Sequence, residues 1–533
     1  MGLEKETSLE RLIQHIPVRE RTKVGEGEIT GISMDSREIE SGHLFVASEG
    51  TQFDGHRYIE EAVHKGAVAV VGSKPADSYA KLTVPYFSVS DPRAAAAHLA
   101  AAFYGFPGRD MVVVGVTGTD GKTTTTHFIF NILKEAGHET GMISTVNAVI
   151  GDQTFETGFH VTTPDAPHVQ RYLAQMVGAG LTHVVIEATS HGLAQKRVDA
   201  CAFDVAVVTN ITHEHLDYHG SYGSYRAAKA RLLNLAAAAE PKPQLQTGYA
   251  VLNRDDDSFA YLFEKALGLN LKTITYGMGP EGDVRGRVVE HDASHLAFEI
   301  QGRDGGEVVE TSLIGEYNVS NGLAAFAACR EALGVKMGAV RRGIQNVPHI
   351  PGRMEAIDLG QAFTLIVDFA HTPNALRRAL ETVTSLAAGR VIAVFGSAGL
   401  RDKAKRRLMA EVSAELADLT VLTAEDPRTE SLDAILEEMA AGLRSCGGEE
   451  GETFWRVPDR GRAIRFALDQ ARPDDLVIVC GKGHEQSMCF GETEYAWDDR
   501  VAARAALADY LGIAGPEMPY LPTRDKTSDK FGG

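Results

Sequence analysis

The sequence predicts an α/β fold of several domains built on parallel sheets, and three observations predict it. Short apolar runs alternate with amphipathic helical stretches through almost all of the chain. Continuous apolar strands between helices belong to parallel sheets covered on both faces. The 54 glycines outnumber all the aromatics (2 Trp, 15 Tyr, 21 Phe), a bias that Gly-rich loops around a parallel sheet produce. The 533 residues also exceed one compact core; at roughly 150 residues per domain, three or four domains are expected.

Taken in order, residues 94–105 (AAAAHLAAAFYG) read as a helix that ends at Phe106-Pro107-Gly108, a domain boundary. Candidate strands follow at Met111–Val116, Val184–Ile186, Val205–Val208, Thr364–Val367, Val391–Phe395, Leu419–Leu422 and Leu476–Val479. Two prolines between Val347 and Gly352 interrupt the helical pattern that precedes them and mark a second boundary. From Gly515 the chain holds three prolines and a polar finish, so a mobile end is expected. The expected division is 1–107, 108–350 and 351–513, with 514–533 as the tail.

Composition excludes several classes. The chain is 44% hydrophobic and 23% charged, which is neither disordered nor collagen-like. Its net charge of −19 disfavours nonspecific binding to nucleic acid or anionic membranes. Cys201, Cys329, Cys446, Cys480 and Cys489 form no C-x-x-C pair, so neither a zinc ribbon nor a thioredoxin motif is indicated. The first residues are charged and amphipathic, without the apolar stretch of a signal peptide. No apolar run reaches the ~18 residues of a membrane span. A cytoplasmic protein is expected, as a monomer, with no nucleic-acid or membrane partner.

The strongest single motif is Gly115-Val-Thr-Gly118-Thr119-Asp-Gly121-Lys122-Thr123-Thr124, placed after an apolar strand and before a helical stretch at His127–Glu135. That is the context of a phosphate-binding loop. Glycines let backbone N–H groups close on phosphate oxygens, and the helix N-terminus adds partial positive charge. Lys122 can reach terminal phosphates and Thr123 can ligate Mg²⁺. The spacing departs from G-x-x-x-x-G-K, which needs glycine where Val116 stands. A plain glycine turn is the bland alternative, and a phosphate-loop kinase or NTPase is a remote one for the whole chain.

Further acidic and imidazole groups follow strands. Glu187 ends an apolar run and suits a metal ligand facing the ligand crevice; a helix-capping Glu is the competing reading. The segment 209–219 holds His213, His215 and His219 with Glu214 and Asp217. That density suggests metal or phosphate chemistry, although imidazole and carboxylate without thiolate do not select zinc, and each histidine alone reads as a hydrogen-bonded structural residue. Lys229, on a following helical stretch, reads by periodicity as a solvated surface lysine.

Together these blocks resemble the Mur ligase family, over about residues 28–510. The resemblance rests on TGTDGKTTT at 117–125, TTPD at 162–165, EATSHGLAQKRV at 187–198, TNITHEHLDYHG at 209–220 and AAKARL at 227–232. It continues through GEYNVSN at 315–321, GRMEAID at 352–358, DFAHTPNAL at 368–376, RDKAKRR at 401–407, EDPRTE at 425–430 and GKGHEQ at 481–486. Asp35-Ser36-Arg37 and GHLFVASEGTQFDGH at 42–56 resemble the branch that adds the third residue of the peptidoglycan stem. Those N-terminal blocks and GKGHE argue against folylpolyglutamate and cyanophycin synthetases, which share the ATPase core.

The resemblance implies a UDP-binding domain, a central ATPase and a Rossmann-like C-terminal domain that brings an amino acid. It implies ATP and Mg²⁺ as cofactors, with Thr123, Glu187, His215 and a carbamylated Lys229 around the metal. Lys122, Glu187, His215 and Lys229 would be catalytic. Gly118, Thr119, Gly121, Thr124, Asn253, Asn318, Arg353, Asp368 and His371 would surround the nucleotide. Ser36 would meet the uridine diphosphate; Thr162, Thr163, Thr189, Gln195 and Arg197 would hold the muramoyl-peptide arm. Arg401, Glu425, Asp426, Arg428, Gly481 and Glu485 would hold the incoming diamino acid. The implied reaction activates the γ-carboxylate of D-glutamate in UDP-N-acetylmuramoyl-L-alanyl-D-glutamate as an acyl phosphate, which the amine then attacks.

The identity of the amine donor stays open at this level. Family members that add diaminopimelate carry D-N-P-R, whereas this chain has Glu425-Asp426-Pro427-Arg428. Arg428 can take a distal carboxylate bidentately. Asp426 puts an anion where the amide stood, which suits the free ammonium of lysine or ornithine. The block GSAGLRDKAKRR at 396–407 also departs from the glycine-richer family form. Diaminopimelate is slightly favoured over lysine or ornithine.

Overall fold

A computed structural model describes residues 5–23, 26–50, 54–155, 163–212, 214, 216–243, 245–292, 295–347 and 349–524. Among the described residues the strands form three principal sheets and one hairpin. The first sheet has five strands within residues 18–89, parallel except where Val18–Arg21 pairs antiparallel with Tyr86–Val89. Asp91 opens its covering helix, Pro92–Phe103, by accepting from the amides of Arg93 and Ala94. Phe106, at φ 56°, then turns the chain away.

The second sheet has eleven strands, and its parallel centre positions the site. Val112–Thr117 lies between His183–Glu187 and Val205–Val208, and parallel pairing continues outward through Tyr249–Asn253 to Lys272–Gly277. Antiparallel strands extend both margins, Leu296–Thr311 at one and Ala148–Phe155 at the other. The central strands are apolar on both faces, as the unbroken runs predict. Val114, Val116, Val185 and Val207 pack under the helix Lys122–Glu135, whereas Val113, Val184, Ile186 and Val208 pack against the opposite layer.

The third sheet has six strands, with Thr364–Asp368, Leu476–Cys480, Val391–Phe395 and Leu419–Leu422 parallel side by side. Helices Pro373–Leu386, Ala404–Leu416 and Leu432–Ser445 cover one face; Arg460–Gln470 and Asp499–Leu511 cover the other. The expected α/β class with parallel-rich sheets is therefore found. Within the tail expected from 514, residues 518–523 make packing contacts. Leu521 is 1% exposed, Met518 meets Gly461, and Thr523 donates to Asp459. Leu521 and Met518 pack against the core of the last sheet, although Tyr520 stays exposed.

Candidate functional site

The strand Val112–Thr117 delivers the chain into a loop that ends at Gly121, with φ 78°, and the helix Lys122–Glu135 begins directly after it. The helix starts five residues earlier than its apolar pattern indicates, because Thr123 to Thr126 are themselves buried. No side chain caps it, so its first N–H groups are left for an anion. The loop is held from the neighbouring strand end. The Asn210 carbonyl accepts from the amide of Thr119 at 2.7 Å, and the Asn210 side chain accepts from Asp120 at 2.9 Å. The glycines are sterically required. A Cβ on Gly118 would lie 1.8 Å from Thr209 Oγ1, and one on Gly121 would lie 2.2 Å from Asn321 Oδ1.

Glu187 closes this end. It is the last residue of its strand, 1% exposed, and Thr189, not Glu187, caps the next helix. Its Oε1 accepts from Thr123 Oγ1 and its Oε2 from the amide of Thr145, both at 3.1 Å. Lys122 Nζ folds back to the carbonyl of Thr119 at 2.7 Å.

Lys229 corrects the reading made from periodicity. It is 2% exposed, not solvated, and its Nζ donates to the carbonyl of Gly118 at 2.5 Å. Burial first, and then the nearby Lys122 charge, drive its pKa well below the ordinary lysine value. The helix Tyr222–Ala237 is alanine-rich, so its sequence does not show which face the phosphate loop covers.

A cleft of about 790 Å³ runs from this loop to the C-terminal sheet. Thr119, Gly121, Lys122, Thr123, Thr124 and Glu187 line one end. Asn253, Asn318, Arg353, Asp368 and His371 line its middle. Arg353 reaches from the third sheet to Thr123 Oγ1 at 3.3 Å and stacks over Phe369. Asp368 accepts from the amides of Met354 and Ala370, and burial raises its pKa. Thr189, Gln195 and Arg197 also line the cleft; Arg197 grips the Thr163 carbonyl at 2.6 Å and the Gln195 side chain.

The far end holds Arg401, Glu425, Asp426, Arg428, Gly481 and Glu485. Glu425 Oε2 is buried with no hydrogen-bond partner among the described residues, and burial raises the pKa of that carboxyl. Asp426 differs from its sequence expectation as a lone extra anion. Lys482, fully buried, lies 3.0 Å from Asp426 and also pairs with Glu485, and the amide of Cys489 donates to Asp426 at 2.9 Å. Burial would lower the Lys482 pKa, but Glu485 and Asp426 outweigh it and raise it. No carboxyl group among the described residues pairs with the Arg428 guanidinium, whose Nε is buried and unpartnered.

Not every candidate joins the cleft. Ser36 sits on a turn of the first sheet, where its carbonyl accepts from Lys65. Gly118, Thr163 and Lys229 lie behind the wall and support it. Thr162 and His215, with His213, fall outside the described residues. Sequence reasoning missed Asn210, Asn321, Lys482 and Arg378, whose guanidinium meets Asp120 of the phosphate loop at 3.5 Å. Asn210, Asn321 and Lys482 stood inside TNITHEHLDYHG, GEYNVSN and GKGHE, whereas Arg378 carries no local signal.

Comparison with known proteins gives three family matches. Residues 28–104 match "Mur ligase family, catalytic domain", residues 116–329 "Mur ligase middle domain" and residues 352–483 "Mur ligase, glutamate ligase domain". A UDP-N-acetylmuramyl-tripeptide synthetase of Roseiflexus sp. (strain RS-1) is 45% identical over 495 residues, covering 92% of this chain and 96% of that protein. A UDP-N-acetylmuramoyl-L-alanyl-D-glutamate--2,6-diaminopimelate ligase of Geobacillus thermodenitrificans (strain NG80-2) is 40% identical, over 94% of this chain and 99% of the relative. A solved structure of a 2,6-diaminopimelate ligase of the same description superposes with a TM-score of 0.64 at 27% identity, covering 96% of this chain and all of that one.

Proposed function

The chain belongs to the Mur ligase family, and on that premise we propose that it uses ATP to join a diamino acid, 2,6-diaminopimelate foremost, to the D-glutamate of UDP-N-acetylmuramoyl-L-alanyl-D-glutamate. The observation that carries the reading is one cleft that is lined both by the phosphate loop with buried Glu187 and by the Arg428, Glu425 and Glu485 cluster. The residues near 1–107 would hold the uridine diphosphate, those near 108–350 the nucleotide, and those near 351–513 the amino acid. The expected cytoplasmic setting is part of this proposal; all five cysteines are free.

The chemistry divides into two steps. A carboxylate is a poor acylating agent because oxide is a poor leaving group. In the first step a glutamyl γ-carboxylate oxygen takes the terminal phosphoryl group of ATP, and ADP leaves. Lys122 and the helix N-terminus offset the charge that accumulates there. Thr123 Oγ1 and Glu187 form a hard oxygen donor pair beside the loop, which fits Mg²⁺. When bound, that ion would neutralise phosphate charge. Burial disfavours the charged form of Lys229, which favours the nucleophilic amine that carbamylation needs. In the second step the amino group attacks the acyl carbon, phosphate leaves and the amine proton is lost. Arg401, which lines the cleft, would meet the α-carboxylate of the amino acid, and Glu485 would accept from its distal ammonium.

The preference for diaminopimelate rests on Asp426. Its charge is offset by Lys482, so Arg428 remains a cation for a distal carboxylate. Lysine or ornithine is the second reading, favoured by the departure from D-N-P-R. The test is incubation with ATP, the UDP-muramoyl dipeptide and each diamino acid separately, with the product identified by mass. No elongated product from any diamino acid overturns the proposal.

A further inference from the structure

Two loops form the far end of the cleft, and they leave different strands of the third sheet. One follows Leu419–Leu422 and carries Glu425, Asp426 and Arg428; the other follows Leu476–Cys480 and carries Gly481 and Glu485. These strands are not neighbours, because Val391–Phe395 lies between them. Pairing between those two strands therefore does not fix the distance between the loops where they begin; farther on, Arg428 exchanges backbone hydrogen bonds with Cys489 and Gly491.

Two side chains bridge them: Lys482 of the second loop meets Asp426 of the first at 3.0 Å, and Arg460 holds the backbone at the base of both. Arg460, at the start of the helix Arg460–Gln470, is fully buried. It donates to the Ala424 carbonyl at 3.1 Å, directly before Glu425, and to the Cys480 carbonyl at 2.8 Å, directly before Gly481. Its remaining donors form a bidentate pair with Asp499, at 2.7 and 2.6 Å. Asp499 is also fully buried. It accepts in addition from the amide of Gly483, inside the second loop, at 3.3 Å, and from Trp497 Nε1 at 2.9 Å.

We propose that the buried Arg460–Asp499 pair is a positioning device that sets the spacing of the two amino-acid-binding loops, and so governs recognition of the incoming diamino acid. Neither residue lines the cleft; both act through the backbone they hold. A planar guanidinium satisfies two carbonyls and a carboxylate at fixed angles, which a lysine ammonium does not. Because every partner is buried, the network has one satisfied arrangement, and the loops inherit it. The inference rests on the proposed amino-acid end of the cleft.

The experiment is steady-state kinetics of full-length Arg460→Lys and Trp497→Phe against the unaltered enzyme, with ADP release and amide product followed separately. The expected result for Arg460→Lys is a KM for the diamino acid raised at least tenfold, with KM for ATP and for the UDP-muramoyl dipeptide within twofold. Trp497→Phe, which removes the indole donor to Asp499 and part of a buried ring, is expected to raise the same KM two- to threefold and to remain folded, at some cost in stability, even where Arg460→Lys does not fold. A merely structural pair would lower the active fraction and leave all three KM values unchanged; that result, or a parallel rise of all three, overturns the proposal. Failure of the underlying functional reading is separate, because the unaltered enzyme would then form no amide.

Discussion

The side-chain nitrogen of Lys229 donates to the carbonyl of Gly118 at 2.5 Å, which ties a helix to the base of the phosphate loop 111 residues earlier in the chain. An ammonium pays heavily for such burial unless it is paired. Here burial and the neighbouring Lys122 both disfavour the charged form. The folded pKa thus lies well below the ordinary lysine value of 10.5. Between those two values the unfolded chain binds more protons than the folded one, so stability rises with pH across that window and is lost on acidification. Thermal midpoints are expected to rise with pH on the acid side of 10.5, and Lys229→Met is expected to flatten that slope. An unchanged slope in the variant would show that another group is responsible.

The same amine, whose charged form burial disfavours, is set up for carbamylation. Its lone pair would attack carbon dioxide, an N–C bond would form, and one proton would leave. Carbon-13 bicarbonate is expected to give a carbamate resonance in the unaltered protein and none in Lys229→Arg. Turnover of Lys229→Arg is expected to fall by a factor of about 100 or more, in line with losing a transition-state electrostatic partner.

Lys122→Ala tests the loop itself. The lysine is half-buried and its amine donates to the Thr119 carbonyl within its own loop, so little of the fold depends on it. The expected outcome is turnover reduced by about 10³ or more with an unchanged circular dichroism spectrum. A near-normal rate would remove Lys122 from the phosphoryl-transfer step.

Gly121→Ala tests the shape of the loop. The residue sits at φ 78°, and an added methyl would lie 2.2 Å from Asn321 Oδ1. Backbone strain of this kind costs about 1–3 kcal/mol, and here the clash acts where phosphate would bind. ATP affinity, read by calorimetry, is expected to fall more than tenfold. Asn321→Gly in the same chain is expected to restore part of it, by removing the clashing oxygen.

How much of this was legible depends on the range of the interactions. The phosphate loop is local: strand, glycines, lysine and helix occur within one short stretch, and the sequence alone predicts the arrangement. Glu187 is legible for the same reason, since it directly ends an apolar run. Lys229 is not, because its burial comes from a loop packed against a helix whose own pattern shows no face. The Asp120–Arg378 contact joins two sheets, and Arg460 meets its partner Asp499 only 39 residues later. Such pairs follow from packing and leave no periodicity to read. In the tail from 514, the packing of Leu521 and Met518 against the last sheet likewise leaves no pattern in the composition.

Arg428 and Asp426 carry the choice of amino acid, and their roles separate by experiment. Arg428 has positive φ, 54°, and its amide and carbonyl are pinned by Cys489 and Gly491. Its backbone is thus fixed independently of its side chain. Arg428→Ala is therefore expected to remove a guanidinium without moving the loop. Loss of a charge-assisted contact costs about 1.5–3 kcal/mol, so kcat/KM for diaminopimelate is expected to fall by roughly 10- to 100-fold. That for lysine, which has no distal carboxylate, is expected to change little. Asp426→Asn acts in the opposite sense on charge. It leaves Lys482 with Glu485 as its one remaining acidic partner, so the site becomes more positive and the ratio of diaminopimelate to lysine use is expected to rise. If Arg428→Ala instead lowers both substrates equally, the guanidinium shapes the pocket and does not read the distal carboxylate. Lysine or ornithine would then become the better reading of this site.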